Sequence, residues 1–183
     1  MSNPFTSCVG GSGGERPLTA SAIVAQAVGS HILRIDGYSR TKALGNGTCI
    51  DSDTFSAGGH RWRLQYYPDG FDNRYPGWIS LFLRLEHTTS CFEGEVEAKF
   101  KISLLDQEGN PVPSYTRNME SRTFSHKQGG NAVFGCGGLI RHFDLERSEY
   151  LKDDVFSLRC DVAVLVSKIV TRAIPVSAVC RGV

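Results

Sequence analysis

Apolar and polar residues alternate along two long runs of the chain, Trp78–His87 and Glu95–Asp106. In the first, Ile79, Leu81, Leu83 and Leu85 share one parity, opposite Ser80, Arg84 and Glu86. In the second, Val96, Ala98, Phe100, Ile102 and Leu104 alternate with Glu95, Glu97, Lys99, Lys101 and Ser103. Successive strand side chains point to opposite faces, so a period of two predicts strands with one buried and one solvated face. The polar break Thr88–Gly94 is short enough for a hairpin connection. Phe82 breaks the pattern: it is an aromatic between Ser80 and Arg84, on the solvated parity. It is either a packing residue beneath a loop or part of a contact surface.

Further strands are predicted at His31–Ile35, Phe55–Ala57, His60–Tyr67 and Val112–Tyr115, with a long one at Val155–Val164 and weaker alternation over Glu120–Lys127. Turn signals punctuate them at Asp36-Gly37, Gly45-Asn46-Gly47, Pro68-Asp69-Gly70 and Gln107–Asn110. Gln128–Gly138 reads as a glycine-rich loop carrying Val133, Phe134 and Cys136. Phe143–Leu151 reads as one short helix, from the spacing of Leu145 and Tyr150. Short strands separated by turns, with almost no helix, predict an all-β chain folded as an antiparallel β-sandwich. Residues 1–27 open with a Gly- and Ser-rich stretch that cannot bury enough apolar area to offset its ordering entropy, and a disordered tail is expected there.

At 183 residues, 40% hydrophobic and 21% charged, the chain suits a single core. Its net charge of +1 and lack of a Lys/Arg cluster provide no electrostatic case for nucleic acid or an anionic membrane. The six cysteines show no CxxC or zinc-type spacing, and Cys160 shares parity with the apolar residues of its strand. Reduced thiols, and a nuclear or cytoplasmic location, are expected. Asn46-Gly47-Thr48 is a formal glycosylation sequon that matters only in an exported chain.

Catalytic chemistry leaves no trace. The five histidines fall on separate elements without metal-ligand spacing. Glu95 and Glu97 share a strand face as paired carboxylates would, but Lys99 and Lys101 continue it, as on an ordinary solvated face with cross-strand charge pairing. No cofactor and no enzymatic activity are expected. What remains are the aromatics Trp78, Phe82, Phe124 and Phe134, which either pack beneath loops or together line a groove for an extended peptide.

Four stretches, in order, resemble one family. His31–Ser39 resembles the opening strand of the MATH (meprin and TRAF homology) domain, and Phe55–Trp62 with Tyr66–Gly70 is similar to its most recognisable signature. Trp78–Leu83 and Ala98–Lys101 look like its central strands, and Tyr150–Asp154 with Leu158–Val162 like its closing helix, turn and strand. The resemblance is greatest to the plant proteins that join a MATH domain to a BTB domain. It implies an eight-stranded sandwich without catalytic activity, occupying residues 28–166 and carrying one short helix near 143–151. Residues 167–183 would lead toward a BTB domain absent from this chain.

The resemblance also implies a function. In MATH-BTB proteins the MATH domain binds short substrate segments in a shallow groove, and the BTB domain recruits a third-type cullin for ubiquitination. Phe82, Phe100, Phe134 and Gly135 match groove positions of the family, and Phe124 falls near another. Trp78 has no counterpart there and is assigned to packing. Phe100 is claimed twice, by the groove and by its buried parity. Cys136 and Gly137 replace a family aromatic and lysine, so weaker or different peptide selection is expected. The alternative to a ligase adaptor is a MATH-only scaffold or decoy that binds partners without recruiting a ligase.

Overall fold

A computed structural model describes the backbone of residues 21–87, 94–128 and 130–170, and the side chains of residues 28–87, 94–128 and 130–165. The glycine-rich run at 10–14, Cys8, Cys91, Cys180 and residues 171–183 lie outside the described residues. Val24–Ser167 forms one compact unit, which holds the sandwich.

Its elements are β1 (Ser21–Asp36), α1 (Tyr38–Lys42), β2 (Ile50–Asp51), β3 (Phe55–Ala57), β4 (His60–Tyr67), β5 (Trp78–Leu85), β6 (Val96–Leu105), β7 (Pro111–Phe124), β8 (Val133–Arg141), α2 (His142–Glu146) and β9 (Val155–Val170). One sheet has the order β1-β9-β6-β7. The other has the order β2-β4-β5-β8, with β3 also paired to β4. The ladders of β4 with β5, β5 with β8, β6 with β7 and β6 with β9 are all antiparallel. The predicted all-β sandwich is thus present.

Alternation decides which side chains fill the space between the sheets. Trp62, Leu64 and Tyr66 of β4, Ile79, Leu81 and Leu83 of β5, and Ile102 and Leu104 of β6 are fully buried. Each such side chain contributes roughly 1.5–3 kcal/mol on leaving water. Cys160 is buried among them as a small apolar residue. On the outer face of β6, Lys101 pairs with Asp161 of β9 at 3.3 Å, the cross-strand pairing expected there.

Four sequence expectations are corrected. β5 and β6 are not a hairpin: β5 pairs with β4 and β8, and β6 with β7 and β9, so the chain crosses between sheets. Each strand has one apolar face, which is satisfied equally by a neighbour alongside or a sheet opposite. The glycine-rich segment after Gln128 is not all loop, because β8 begins at Val133 and is held by backbone pairing to β5. The two strands expected at 112–115 and 120–127 are one, β7, continuous through residues whose side chains are largely exposed.

The fourth correction concerns helix. The helix expected over 143–151 is confined to His142–Glu146, and a second helix, α1, is present at Tyr38–Lys42. Its start is capped from 115 residues away: Asp154 O accepts from Gly37 N (3.1 Å) and Tyr38 N (2.9 Å), and the Asp154 carboxylate accepts from Ser39 N (2.8 Å) and Ser39 Oγ (2.7 Å). A cap supplied by tertiary structure leaves no local signature.

Candidate functional site

β8 closes the second sheet. Among the described residues it pairs with β5 and with no other strand, so no strand takes up the backbone groups along its second edge. Opposed residues share a sheet face. Leu83 opposes Phe134 and Leu81 opposes Cys136, so these two β8 side chains face inward; Phe82 opposes Gly135, so both face outward. Between Ile79–Ile140 and Leu81–Cys136 the register shifts, and Gly137–Leu139 bulge opposite Ser80. Ser80 Oγ donates to Gly137 O at 2.6 Å and anchors the bulge.

On the inner side, rings step from the surface into the core. Phe134 meets Phe124 edge to face at 4.9 Å, and Phe124 meets Trp62 at 4.9 Å and Phe100 at 6.0 Å. The Arg122 guanidinium lies 6.0 Å from the Phe134 ring. Ser125 N donates to Asn131 O at 2.9 Å, which closes the turn that carries the chain from β7 to β8. Phe134 is half-buried, whereas Phe100 and Phe124 are 3% and 0% exposed. The assignment of Phe100 and Phe124 to a contact surface is therefore corrected: they support Phe134 from beneath. Alternation along β6 had already claimed Phe100 for the core, and its pairing to β9 puts it there.

On the outer side, Phe82 does not stand alone. It packs edge-on against Phe71 at 4.9 Å and Tyr67 at 5.7 Å, and Phe71 lies 5.2 Å from Tyr75. Phe71 and Tyr75 come from the β4–β5 loop. That loop is pinned by Gly77 N donating to Asp69 Oδ1 (2.8 Å) and by Asn46 Nδ2 donating to Asp69 O (2.6 Å) and Asp72 O (3.0 Å). The rings lie over the glycines of β8. A Cβ on Gly135 would come within 2.7 Å of Phe82 Cδ1, and one on Gly137 within 2.6 Å of Phe71 Cε1 and 2.9 Å of Tyr75 Cε2. Trp78 stands beside them, 3.4 Å from where a Gly138 Cβ would sit, with the Arg141 guanidinium 4.8 Å from its ring. Glycine is required at Gly137 by the approach of the Phe71 and Tyr75 rings, and at Gly135 by the β5 backbone at Leu81 and Phe82 together with the Phe82 ring.

The five predicted residues are thus gathered around one strand but on its two faces, Phe134 with Phe124 and Phe100 on one and Phe82 with Gly135 on the other. Sequence reading missed Tyr67, Phe71 and Tyr75. The available signal was a pair of aromatics in a Pro/Gly-bounded loop matched by a run of glycines over sixty residues later, a correspondence visible only once β5 aligns them.

Charges on the outer face are largely satisfied locally. Arg74 stacks on Phe71 (5.3 Å) and donates through Nε to Asp72 Oδ2 at 2.8 Å. The Arg74 side-chain hydrogen bonds hold the exposed Asp72 carboxyl below the usual carboxylate range. Burial pushes the Tyr67 hydroxyl up to about 12 and the Cys49 thiol up to about 11. Cys49 belongs to the exposed surface, but its sulfur sits against Tyr67 and Asp51. Among the described residues no group of three or more His, Cys, Asp or Glu is placed to hold a metal. A depression of about 710 Å³ crosses the other sheet from β1 to β7. Its central carboxylate, Asp161, is already bound by Arg159 (2.7 Å) and Lys101 (3.3 Å), and the exposed rings lie elsewhere.

A family profile described as the MATH domain matches residues 30–162. The chain belongs to the MATH domain family. BTB/POZ and MATH domain-containing protein 4 of Arabidopsis thaliana is 39% identical to this MATH domain chain over 161 residues, 84% of the chain and 33% of that relative. BTB/POZ and MATH domain-containing protein 5 of the same plant is 39% identical over 174 residues, 89% of the chain and 40% of that relative. The chain therefore spans between about a third and two-fifths of these relatives. Notothenia coriiceps TRAF5 has a similar fold, with a TM-score of 0.51 at 18% identity over 73% of this chain and 72% of that one.

Proposed function

We propose that this MATH domain binds extended segments of partner proteins along the free edge of β8, as the substrate-recognition part of a MATH-BTB adaptor for a third-type cullin-RING ubiquitin ligase. The observation that carries the reading is a strand with no second strand partner among the described residues, flanked by half-buried rings on both faces, Phe134 inward and Phe82 outward. An added strand forms main-chain hydrogen bonds with such an edge, and alternate side chains find the two faces. Phe134 and Phe82 then supply anchoring burial, since aromatics dominate interface energetics. Similarity to proteins named for both BTB/POZ and MATH domains supports the adaptor half of the reading.

Binding of dye-labelled peptides from an extended-peptide library tests it. Phe134→Ala and Phe82→Ala each weaken the best peptides about tenfold or more. N-methylation of alternate peptide nitrogens abolishes binding, because it removes the donors that pair with β8. Unchanged affinity in both variants sinks the edge assignment. Co-purification of the full-length product with a third-type cullin tests the adaptor half. Peptide binding without the cullin selects a scaffold or decoy instead. We place the protein in the nucleus or cytoplasm, which imaging of a fluorescent fusion tests.

A further inference from the structure

In a strand added beside β8, backbones run about 4.7–4.9 Å apart and directly opposed Cβ positions lie about 4.5–5.5 Å apart. β8 has no outward side chain at Gly135 or Gly137. The space a side chain would occupy is taken at Gly135 by the β5 backbone (Leu81 O and Phe82 Cα), with the Phe82 ring 2.7 Å from the would-be Cβ, and at Gly137 by the Phe71 and Tyr75 rings at 2.6 and 2.9 Å. An outward-facing peptide side chain therefore meets the Phe82 ring of β5 opposite Gly135 and the ring surface of the β4–β5 loop opposite Gly137. The Arg74 guanidinium stacked on that surface is already bound to Asp72, so it offers an anionic group little uncompensated charge.

We propose that Phe71 and Tyr75 are specificity-determining residues, selecting a bulky apolar side chain, aromatic or branched aliphatic, at the outward position of a peptide strand seated on β8. The inference rests on the peptide-edge reading and adds the identity of one ligand position. The physical reason is that an apolar side chain loses water against the rings, whereas a charged one loses hydration there beside an Arg74 already bound to Asp72. The position left blank by Gly137 on β8 is thereby supplied by the β4–β5 loop.

A positional-scanning peptide library read by fluorescence polarisation on the whole chain tests this without any variant. Enrichment of Phe, Tyr, Trp, Leu or Ile at one outward position is expected. Tyr75→Leu combined with Phe71→Leu, which keeps the loop apolar, lowers affinity for aromatic-bearing peptides about tenfold and flattens the preference at that position. Phe134→Ala lowers affinity for all peptides and leaves that preference in place, and Arg74→Ala changes affinity less than about twofold. A flat profile at the outward positions, or enrichment of Asp and Glu there, overturns the proposal while peptide binding itself stands. Absence of any peptide binding overturns both this proposal and the reading beneath it.

Discussion

Replacing Phe124 by Ala separates a core ring from a binding ring. Phe124 is fully buried at the end of β7, with Trp62 and Phe134 both at 4.9 Å and Phe100 at 6.0 Å. Truncating a buried phenylalanine costs about 3–5 kcal/mol through lost transfer energy and the cavity left behind. The upper half of that range is expected, because the neighbouring rings sit on strands of both sheets and cannot collapse into the void together. For a body of this size that loss lowers the melting temperature by roughly 10–20 °C. Urea unfolding is expected to show a lower midpoint at an unchanged slope, the signature of lost stability without a changed unfolded state. Phe82→Ala is the control: its ring lies on the outer face and is half-buried, and its loss is expected to cost only about 1–2 kcal/mol. If Phe124→Ala melts within about 2 °C of the parent yet loses peptide binding, Phe124 is a contact residue and the inward-stacking account fails.

Three further outcomes follow from the geometry. Gly70→Ala is expected to destabilise by about 1–3 kcal/mol, since Gly70 has φ +84° and an added Cβ would collide with the Tyr75 carbonyl oxygen; urea titration reads the loss. Glu146→Gln probes pH linkage. Hydrogen bonds from Lys42 and Tyr38 hold the Glu146 carboxyl below its ordinary value, so its stabilisation is full above the unfolded carboxylate pKa and disappears as pH falls through the lower folded value. The pair is partly exposed, so at pH 7 the variant is expected to lose less than about 1 kcal/mol, and parent and variant curves should converge once pH falls below the depressed folded value. Cys49, its thiol pushed up to about 11 by burial, is expected to alkylate far more slowly at pH 8 than a free thiol, because only about 0.1% is thiolate. Mass spectrometry of iodoacetamide-treated protein measures this, and rapid labelling of Cys49 would refute it.

The contrast between Phe82 and Phe71 shows where sequence reasoning reaches. Phe82 announced itself by standing on the wrong parity of its own strand, a signal contained within eight residues. Phe71 and Tyr75 lie in a loop with no period to violate. Their role depends on which strand is laid beneath them, and that strand had read as a loop because Gly135, Gly137 and Gly138 erase the alternation that marks strands.

What the sequence by itself determined was the class of fold and the inward face of each strand, because burial follows a period of two that is written in adjacent residues. It also contained the MATH domain motifs, which carry the family. Only tertiary structure decided which strands are neighbours. β5 and β6 have equally clear apolar faces, yet they lie in opposite sheets, since an apolar face specifies that it is covered but not by what. The same limit divided the predicted site. The resemblance implies a groove position for Phe100 and one near Phe124, but register and ring packing bury both rings behind Phe134. Register likewise aligns the Phe82, Phe71 and Tyr75 rings over the glycines of an edge strand. Contacts between residues sixty positions apart depend on loop closure and packing of the whole sandwich, and no local pattern encodes them.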